Sequence, residues 1–325
     1  MNLPEQQNLF TDSNIISANT KPVNVASVPQ RSPFRYPGGK TWFVPTFRKW
    51  IQSLDFKPKL LVEPFTGGGI ITLTTLFESR VEKAVMIEMD GEVAAVWEAI
   101  IAGHAEWIAD RILHFDLTYE NLTRELCVSS VDIQQKAFQT LLKNRTLHGG
   151  ILAEGAGLLK NGENGKGIKS RWYPQTLAKR ILNLNLIKER ITFYKADALE
   201  LLPDHAENSQ AVFFIDPPYT AGGKRAGKRL YRHFNLNHER LFEIAESLKG
   251  DFLMTYDHAD EVINLARKYG FQMRLIPMNN THHAEIFELV ISKNLSWLND
   301  LTQVNEKQQE YLVPLLMPSS AHVVS

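Results

Sequence analysis

The sequence predicts an α/β protein: a mostly parallel sheet, covered on both faces, that closes with an antiparallel hairpin. Three observations carry this. Short apolar runs alternate with helical patterns from residue 60 to about 268, as expected for parallel strands joined by crossover helices. Two of the runs end in polar chemistry rather than plain turns, "EPFTGGG" at 63–69 and "DPPY" at 216–219. The last two runs, "FQMRLIPM" and "AEIFELVISK", are joined by the polar "NNTHH" with no helix between them, so they pair antiparallel.

Residues 1–30 are polar, rich in Asn, Gln, Ser and Pro, and lack periodicity, so they read as a mobile arm; 299–325 reads as a similar tail. "LLVE" (60–63) is a short strand that breaks into a glycine turn, after which "IITLTTLFES" continues as a helix. "KAVMIE" (83–88) is the next strand, followed by the helical "GEVAAVWEAIIA" and a longer helical stretch. The glycine-rich "LHGGILAEGAGLLKNGENGKGIKSRWYP" (147–174) is too polar for a core and reads as part of an insertion. Order returns with helix "QTLAKRILNLNLIKE", strands "ITFYKA" and "AVFFID", a basic loop and a helix over 236–249. Strand "DFLMTY" and helix "ADEVINLARKY" lead into the hairpin. The expected division is a catalytic domain over 31–100 and 190–298, interrupted by a mainly helical domain over 101–189. Such a sheet has the outline of the Rossmann-like, S-adenosylmethionine (AdoMet)-dependent methyltransferase fold rather than of a dinucleotide-dependent dehydrogenase.

Among 325 residues, 44% are hydrophobic and 22% charged, which suits a folded chain with a full core. No run of about 18 apolar residues occurs, and the start lacks a basic-then-apolar export pattern, so a cytoplasmic location away from membranes is expected. The single cysteine, Cys127, excludes an internal disulfide and a multi-cysteine zinc site. Its helical, apolar context reads as structural. The adjacent His282 and His283 read as loop residues, and no metal is expected. Net charge is zero, so only local charge speaks for nucleic acid. Ten basic residues against three acidic ones lie between Lys143 and Arg190, and Lys224, Arg225, Lys228, Arg229 and Arg232 form a second block.

The glycine turn lies at the carboxyl end of its strand, where open α/β sheets bind ligands. Gly67, Gly68 and Gly69 let backbone approach a ligand, and Glu63, Pro64 and Phe65 lead into them. Glu88 follows the loop by about 20 residues at the end of the next strand, where a carboxylate accepts both ribose hydroxyls of a nucleoside. NAD, FAD and AdoMet all satisfy that spacing, and a strand-end acid in water remains the plain alternative. Neither G-x-G-x-x-G nor G-K-[ST] is present. In "DPPY", the Asp216 carboxylate and the Pro217 carbonyl can each accept a hydrogen from a planar amine, while Pro217 and Pro218 stiffen the backbone. An amine held this way turns its lone pair out of conjugation toward an electrophilic methyl. Tyr219 supplies a stacking face. No covalent intermediate is needed, and Cys127 lacks the Pro-Cys context of carbon-5 cytosine methylation.

"FRYPGGK" (34–40), "EPFTGGG", an acid closing the second strand and "DPPY", in this order, resemble the Dam-type (D12 class) DNA adenine-N6 methyltransferases over roughly 33–295. The resemblance implies AdoMet as cofactor, with S-adenosylhomocysteine (AdoHcy) as product, and a flipped-out adenine of double-stranded DNA as substrate. It implies that Tyr36 packs on AdoMet, that Lys40 contacts its methionine end or Asp216, and that Asp197 lies near its adenine ring. Glu88 stands where many relatives have aspartate. "KNRTLHGG" resembles the segment opening the target recognition domain, although Leu147, His148, Gly149 and Gly150 stand where relatives often have Phe-Asn-Gly. Arg145, Lys169 and Arg171, with the basic loop at 220–233, are the expected phosphate contacts. The same resemblance admits a cognate restriction endonuclease as partner, a monomer or dimer, and a nucleoid-associated location. The competing readings are methylation of a cytosine amino group or glutamine amide, where relatives tend to carry Ser or Asn at position 216, and an inactive nucleic-acid-binding module. A nicotinamide oxidoreductase has no use for "DPPY" or the hairpin.

Overall fold

The computed structural model describes residues 16–17, 23–36, 38–153, 155–162, 165–218, 236–279 and 285–298. Strand β1 (Ile16–Ser17) and helix α1 (Val44–Ser53) precede the first full unit, strand β2 (Leu60–Glu63) and helix α2 (Ile70–Phe77). Strand β3 (Lys83–Ile87) then leads into helix α3 (Gly91–Ala99). Four helices follow: α4 (Ala105–His114), α5 (Tyr119–Cys127), α6 (Ile133–Thr146) and α7 (Pro174–Asn183). Strand β4 (Ile191–Tyr194), helix α8 (Ala198–Leu201) and strand β5 (Ala211–Ile215) return the chain to the sheet. Helix α9 (His238–Ser247), strand β6 (Asp251–Asp257), helix α10 (Asp260–Lys268), strand β7 (Gln272–Asn279) and strand β8 (Glu285–Ser292) complete it.

The sheet order is β1-β7-β8-β6-β5-β2-β3-β4. Strands β2 to β6 run parallel, whereas β8 runs antiparallel to both β6 and β7. This is the AdoMet-dependent methyltransferase fold anticipated above, with β1 added at one edge. Strand β5 is the most apolar element, with all five residues of "AVFFI" buried, as a central parallel strand covered on two faces requires. Alternation then sorts its residues between two cores. Phe214 joins Phe43, Phe47 and Trp50 of the α1 region, Leu73 of α2 and Trp97 of α3. Phe213 and Ile215 join Phe242 of α9 and Ile263 of α10 on the other face.

The strand order reverses between the parallel neighbours β2 and β5: β3 and β4 are added on one side, β6 and the hairpin on the other. Crossovers diverge at such a point and leave a crevice beyond the strand carboxyl ends. The glycine turn follows β2 and "DPPY" follows β5, so topology alone brings the two motifs to one crevice.

Four expectations need correction. Within the arm, Ile16–Ser17 pairs parallel with Arg274 and Leu275 of β7, and Val28 is buried, so the described part lies against the sheet and covers its edge. The helices of the expected insertion share a core with the catalytic part: Phe138 and Leu141 of α6 are buried with Val96 and Trp97 of α3. Within the glycine-rich segment Leu159 and Ser170 are buried, and Leu147 bridges to Leu158, so its polar composition hides a folded loop. Cys127, read as structural, is exposed at the end of α5. Among the described residues no helix is long and apolar enough to cross a membrane.

The ring of Phe214 is fully buried, 5.7 Å from the ring centres of both Phe43 and Phe47. Phe214→Ala should lower the unfolding free energy by roughly 3–5 kcal/mol in denaturant titrations. A loss below about 1 kcal/mol would mean that the face joining α1 to β5 is not tightly packed.

Candidate functional site

After β2 the backbone turns through Gly67 (φ 45°) and Gly69 (φ 62°) into α2. Here the glycines serve close approach as well as turning. A Cβ on Gly67 would lie 2.6 Å from Cε1 of Tyr36, and one on Gly69 would lie 3.0 Å from Cζ2 of Trp97. The tyrosine of "FRYPGGK" thus lies against the glycine loop, and Trp97 Nε1–H donates to the Gly67 carbonyl at 3.0 Å from the other side.

Glu88 closes the loop. Its Oε2 accepts from Gly67 N and its Oε1 from Asp90 N, both at 2.8 Å. Burial pushes its carboxyl up to about 7, although both backbone bonds favour the ionised form. Glu63 accepts from Thr72 N at 3.0 Å in the first turn of α2. Burial pushes it up to about 8, with the bonds from Thr72 opposing and the charges of Asp216 and Glu88 adding to the rise.

Asp216 follows β5 and is held from two sides at one oxygen: Lys40 Nζ lies 2.9 Å and Thr255 Oγ1 2.8 Å from Oδ1. Lys40 Nζ also lies 2.9 Å from Oε1 of Glu288 on β8 and donates to the Gly38 carbonyl at 3.2 Å. Only 4% of the lysine is exposed. Burial alone would lower its pKa, but the two carboxylates outweigh it and raise it. Of the two contacts implied for Lys40, the structure contains the one to Asp216.

One cavity of about 700 Å³, within the range of small-molecule sites, joins these pieces. Every residue expected at a cofactor lines it: Tyr36, Lys40, the run Glu63–Phe65, the three loop glycines, Glu88, Asp197 and Asp216. Pro218 lines it as well, and Pro217 is buried behind. Asp197 also caps α8, accepting from Leu199 N at 2.9 Å. A glycine-floored cleft with an aromatic face and a carboxylate at a strand end suits a nucleoside with ribose hydroxyls. Asp216 at the same cleft suits an amine. Tyr219 and the basic residues Lys224, Arg225, Lys228, Arg229 and Arg232 lie outside the described residues.

The expected phosphate contacts separate. Lys169 is exposed, 3.7 Å from Asp116. Arg171 lines the cavity. Arg145 does not project from the surface: it is buried, and its Nη2 donates to the Pro33 carbonyl at 2.5 Å. Burial, with Arg180 and Arg35 nearby, pushes its pKa down. Its neighbour Asn144 accepts from Arg35 N and donates to the Arg35 and Gly150 carbonyls, each at 2.9 Å. The Asn-Arg pair therefore clamps the stretch that carries Tyr36 and Lys40, a role that sequence reading missed along with Thr255 and Glu288. Glu288 left a trace, a carboxylate at a core-facing position of an apolar strand; Thr255 left none.

Among solved structures the chain is similar to the rRNA methyltransferase aviRa from Streptomyces viridochromogenes, with 12% identity, 89% of this chain and 99% of that one covered, and a TM-score of 0.38. It is also similar to PH1948 from Pyrococcus horikoshii, provisionally an RNA methyltransferase (10% identity, 86% and 92% covered, TM-score 0.36). A third is yhhF from Escherichia coli, provisionally a methyltransferase (12% identity, 82% and 92% covered, TM-score 0.35). No curated protein matches the chain. The family model of the D12 class N6 adenine-specific DNA methyltransferases matches residues 36–277, which run from the tyrosine on the glycine loop to strand β7 and take in both the cleft and the Lys40–Asp216 pair. The chain belongs to the D12 class N6 adenine-specific DNA methyltransferase family.

Proposed function

We propose that the chain transfers a methyl group from AdoMet to the N6 amino group of an adenine flipped out of double-stranded DNA. One observation carries this reading: Asp216, gripped by Lys40 and Thr255, stands in the same cavity as the glycine loop and Glu88. AdoMet, when bound, supplies an electrophilic methyl on a sulfonium. Glu88 takes the ribose hydroxyls, Tyr36 gives the cofactor an aromatic face, and the loop glycines allow its close approach. Glu63 lies on the same side, and burial keeps it mostly in the uncharged acid form near neutral pH.

At the acceptor, Asp216 and the Pro217 carbonyl each accept one hydrogen of the adenine amine, fixing its lone pair toward the donor. Tyr219 stacks on the base. The transfer needs no protein nucleophile, because orientation alone is worth on the order of 7–11 kcal/mol for well-placed reactants. Flipping the nucleotide costs a few kcal/mol. Lys169, Arg171 and the basic loop at 220–233 offset that cost through phosphate contacts that position DNA without reading it. Asp216 rather than Ser or Asn favours adenine over cytosine or a glutamine amide.

Asp216→Ala is the primary test. It should lower methyl transfer to DNA by on the order of 10²–10³-fold or more, while AdoHcy affinity stays within about threefold. Full turnover would refute the assigned role.

Proton linkage gives a second test. Glu88 binds ribose hydroxyls best when ionised, and its carboxyl titrates at about 7 in the free protein. AdoMet affinity measured by calorimetry should therefore rise between about pH 6 and pH 8, and Glu88→Gln should remove most of the rise. Stability without cofactor runs the other way. Glu63 and Glu88 have folded values of about 8 and 7 against an ordinary 4.5, so their contribution is fully present below 4.5 and is lost as pH rises through 7 to 8. A melting temperature that rises across that window would contradict the burial of these carboxyls.

A further inference from the structure

The glycine loop has no side chains to hold its own shape. Successive glycines lose more backbone freedom on ordering than other residues do, so a loop left to itself would bind a ligand at an entropic cost. Gly67 is instead fastened at both ends of its backbone. Its N–H donates to Glu88 Oε2 at 2.8 Å, and its carbonyl accepts from Trp97 Nε1 at 3.0 Å. The same indole backs the next turn of the loop: a Cβ on Gly69 would stand 3.0 Å from Cζ2 of Trp97 and 3.2 Å from its Cη2.

Trp97 lies in α3, fully packed, with its ring centre 5.8 Å from that of Phe34. It does not line the cavity, whereas all three loop glycines do. A phenylalanine or leucine would also fill this part of the core, and would leave the Gly67 carbonyl without its donor. Packing therefore accounts for the ring and not for the N–H.

The consequence of that bond falls on the next peptide unit. In a trans peptide the C=O and the following N–H point in opposite directions, and the bond between Gly67 and Gly68 is trans. With the Gly67 carbonyl turned inward to Trp97, the Gly68 N–H turns outward. Among the described residues nothing accepts from it. Gly68 lies on the cavity wall, so this donor is available to an acceptor atom of a ligand.

We propose that Trp97 is a positioning residue for the cofactor: by holding the Gly67 carbonyl it fixes the glycine loop in the conformation that aims the Gly68 N–H at an acceptor atom of AdoMet. The proposal rests on the AdoMet reading above. Trp97 itself touches neither cofactor nor DNA. Its hydrogen bond orders the loop in advance, so that binding does not have to.

The test removes the indole N–H and keeps the ring. Trp97 is replaced in the full-length chain by β-(3-benzothienyl)alanine, which has sulfur in place of the N–H, by 5-fluorotryptophan, which retains the N–H, and by phenylalanine. Calorimetric affinity for AdoHcy should fall about fivefold to tenfold in the benzothienyl and Trp97→Phe variants, the scale of one hydrogen bond, and stay within about twofold with 5-fluorotryptophan. A purely structural tryptophan gives a lower melting temperature with unchanged AdoHcy affinity, and that result overturns the proposal. Amide exchange of the wild type decides the matter if the variants do not fold. The Gly68 N–H should exchange fast in the free protein and at least about tenfold more slowly with saturating AdoHcy. Exchange that AdoHcy leaves unchanged overturns the proposal while the cofactor reading stands. A wild type that binds neither AdoMet nor AdoHcy overturns the cofactor reading, and this inference with it.

Discussion

A lysine ammonium buried this deeply is tolerated only while carboxylates stand against it, and Lys40 imposes that condition on three distant parts of the chain. Asp216 ends β5, Glu288 lies on β8, and Lys40 itself follows the N-terminal "YPGG" turn. Removing one partner of such a cluster typically costs 3–5 kcal/mol, because a charge is left uncompensated. The cluster thus demands that the hairpin be paired, β5 be in register and the N-terminal stretch be docked. Thr255 on β6, between β5 and β8, strengthens the demand by holding the same oxygen of Asp216.

The N-terminal stretch is held at its other end by the helical region. Asn144 and Arg145, at the end of α6, bond to backbone atoms of Pro33 and Arg35, and Arg180 of α7 reaches the Ser32 carbonyl at 3.3 Å. Between the two anchors lies Tyr36, against Gly67. A shift of α6 would therefore be felt at the glycine loop. The cavity reflects the same division. Glu63, Glu88, Asp197 and Asp216 stand on the sheet side, and Arg145, Arg171 and Arg180 on the helical side. A cationic donor suits the first side and a polyanionic acceptor the second.

Much of this was legible in the residues. Central strands such as "AVFFI" announce themselves because burial on both faces leaves no polar position, and the hairpin was readable from two apolar runs with no helix between. The glycine loop, Glu88 and Asp216 were readable because strand ends and spacing specify where backbone and carboxylates emerge. What failed was reading exposure from residue type. Arg145 belongs to a basic block yet points inward, because a backbone carbonyl 112 positions earlier in the chain receives it. Cys127 ends an amphipathic helix, and one step of rotation past the apolar stripe puts it in water. Thr255 and Glu288 acquire meaning only from tertiary contacts with Lys40 and Asp216. Strand β1 is two residues long, too short for any periodicity to register.

The central claim is that Asp216 presents an adenine amine to a methyl donor held beside Gly67–Gly69. Incubating the purified chain with double-stranded DNA and isotopically labelled AdoMet, then digesting the DNA to nucleosides, tests it most directly. The account predicts label in N6-methyladenosine of the deoxy series and in no other nucleoside. Label in a methylated cytosine, or a wild-type protein that binds AdoMet and DNA yet incorporates none, would contradict it.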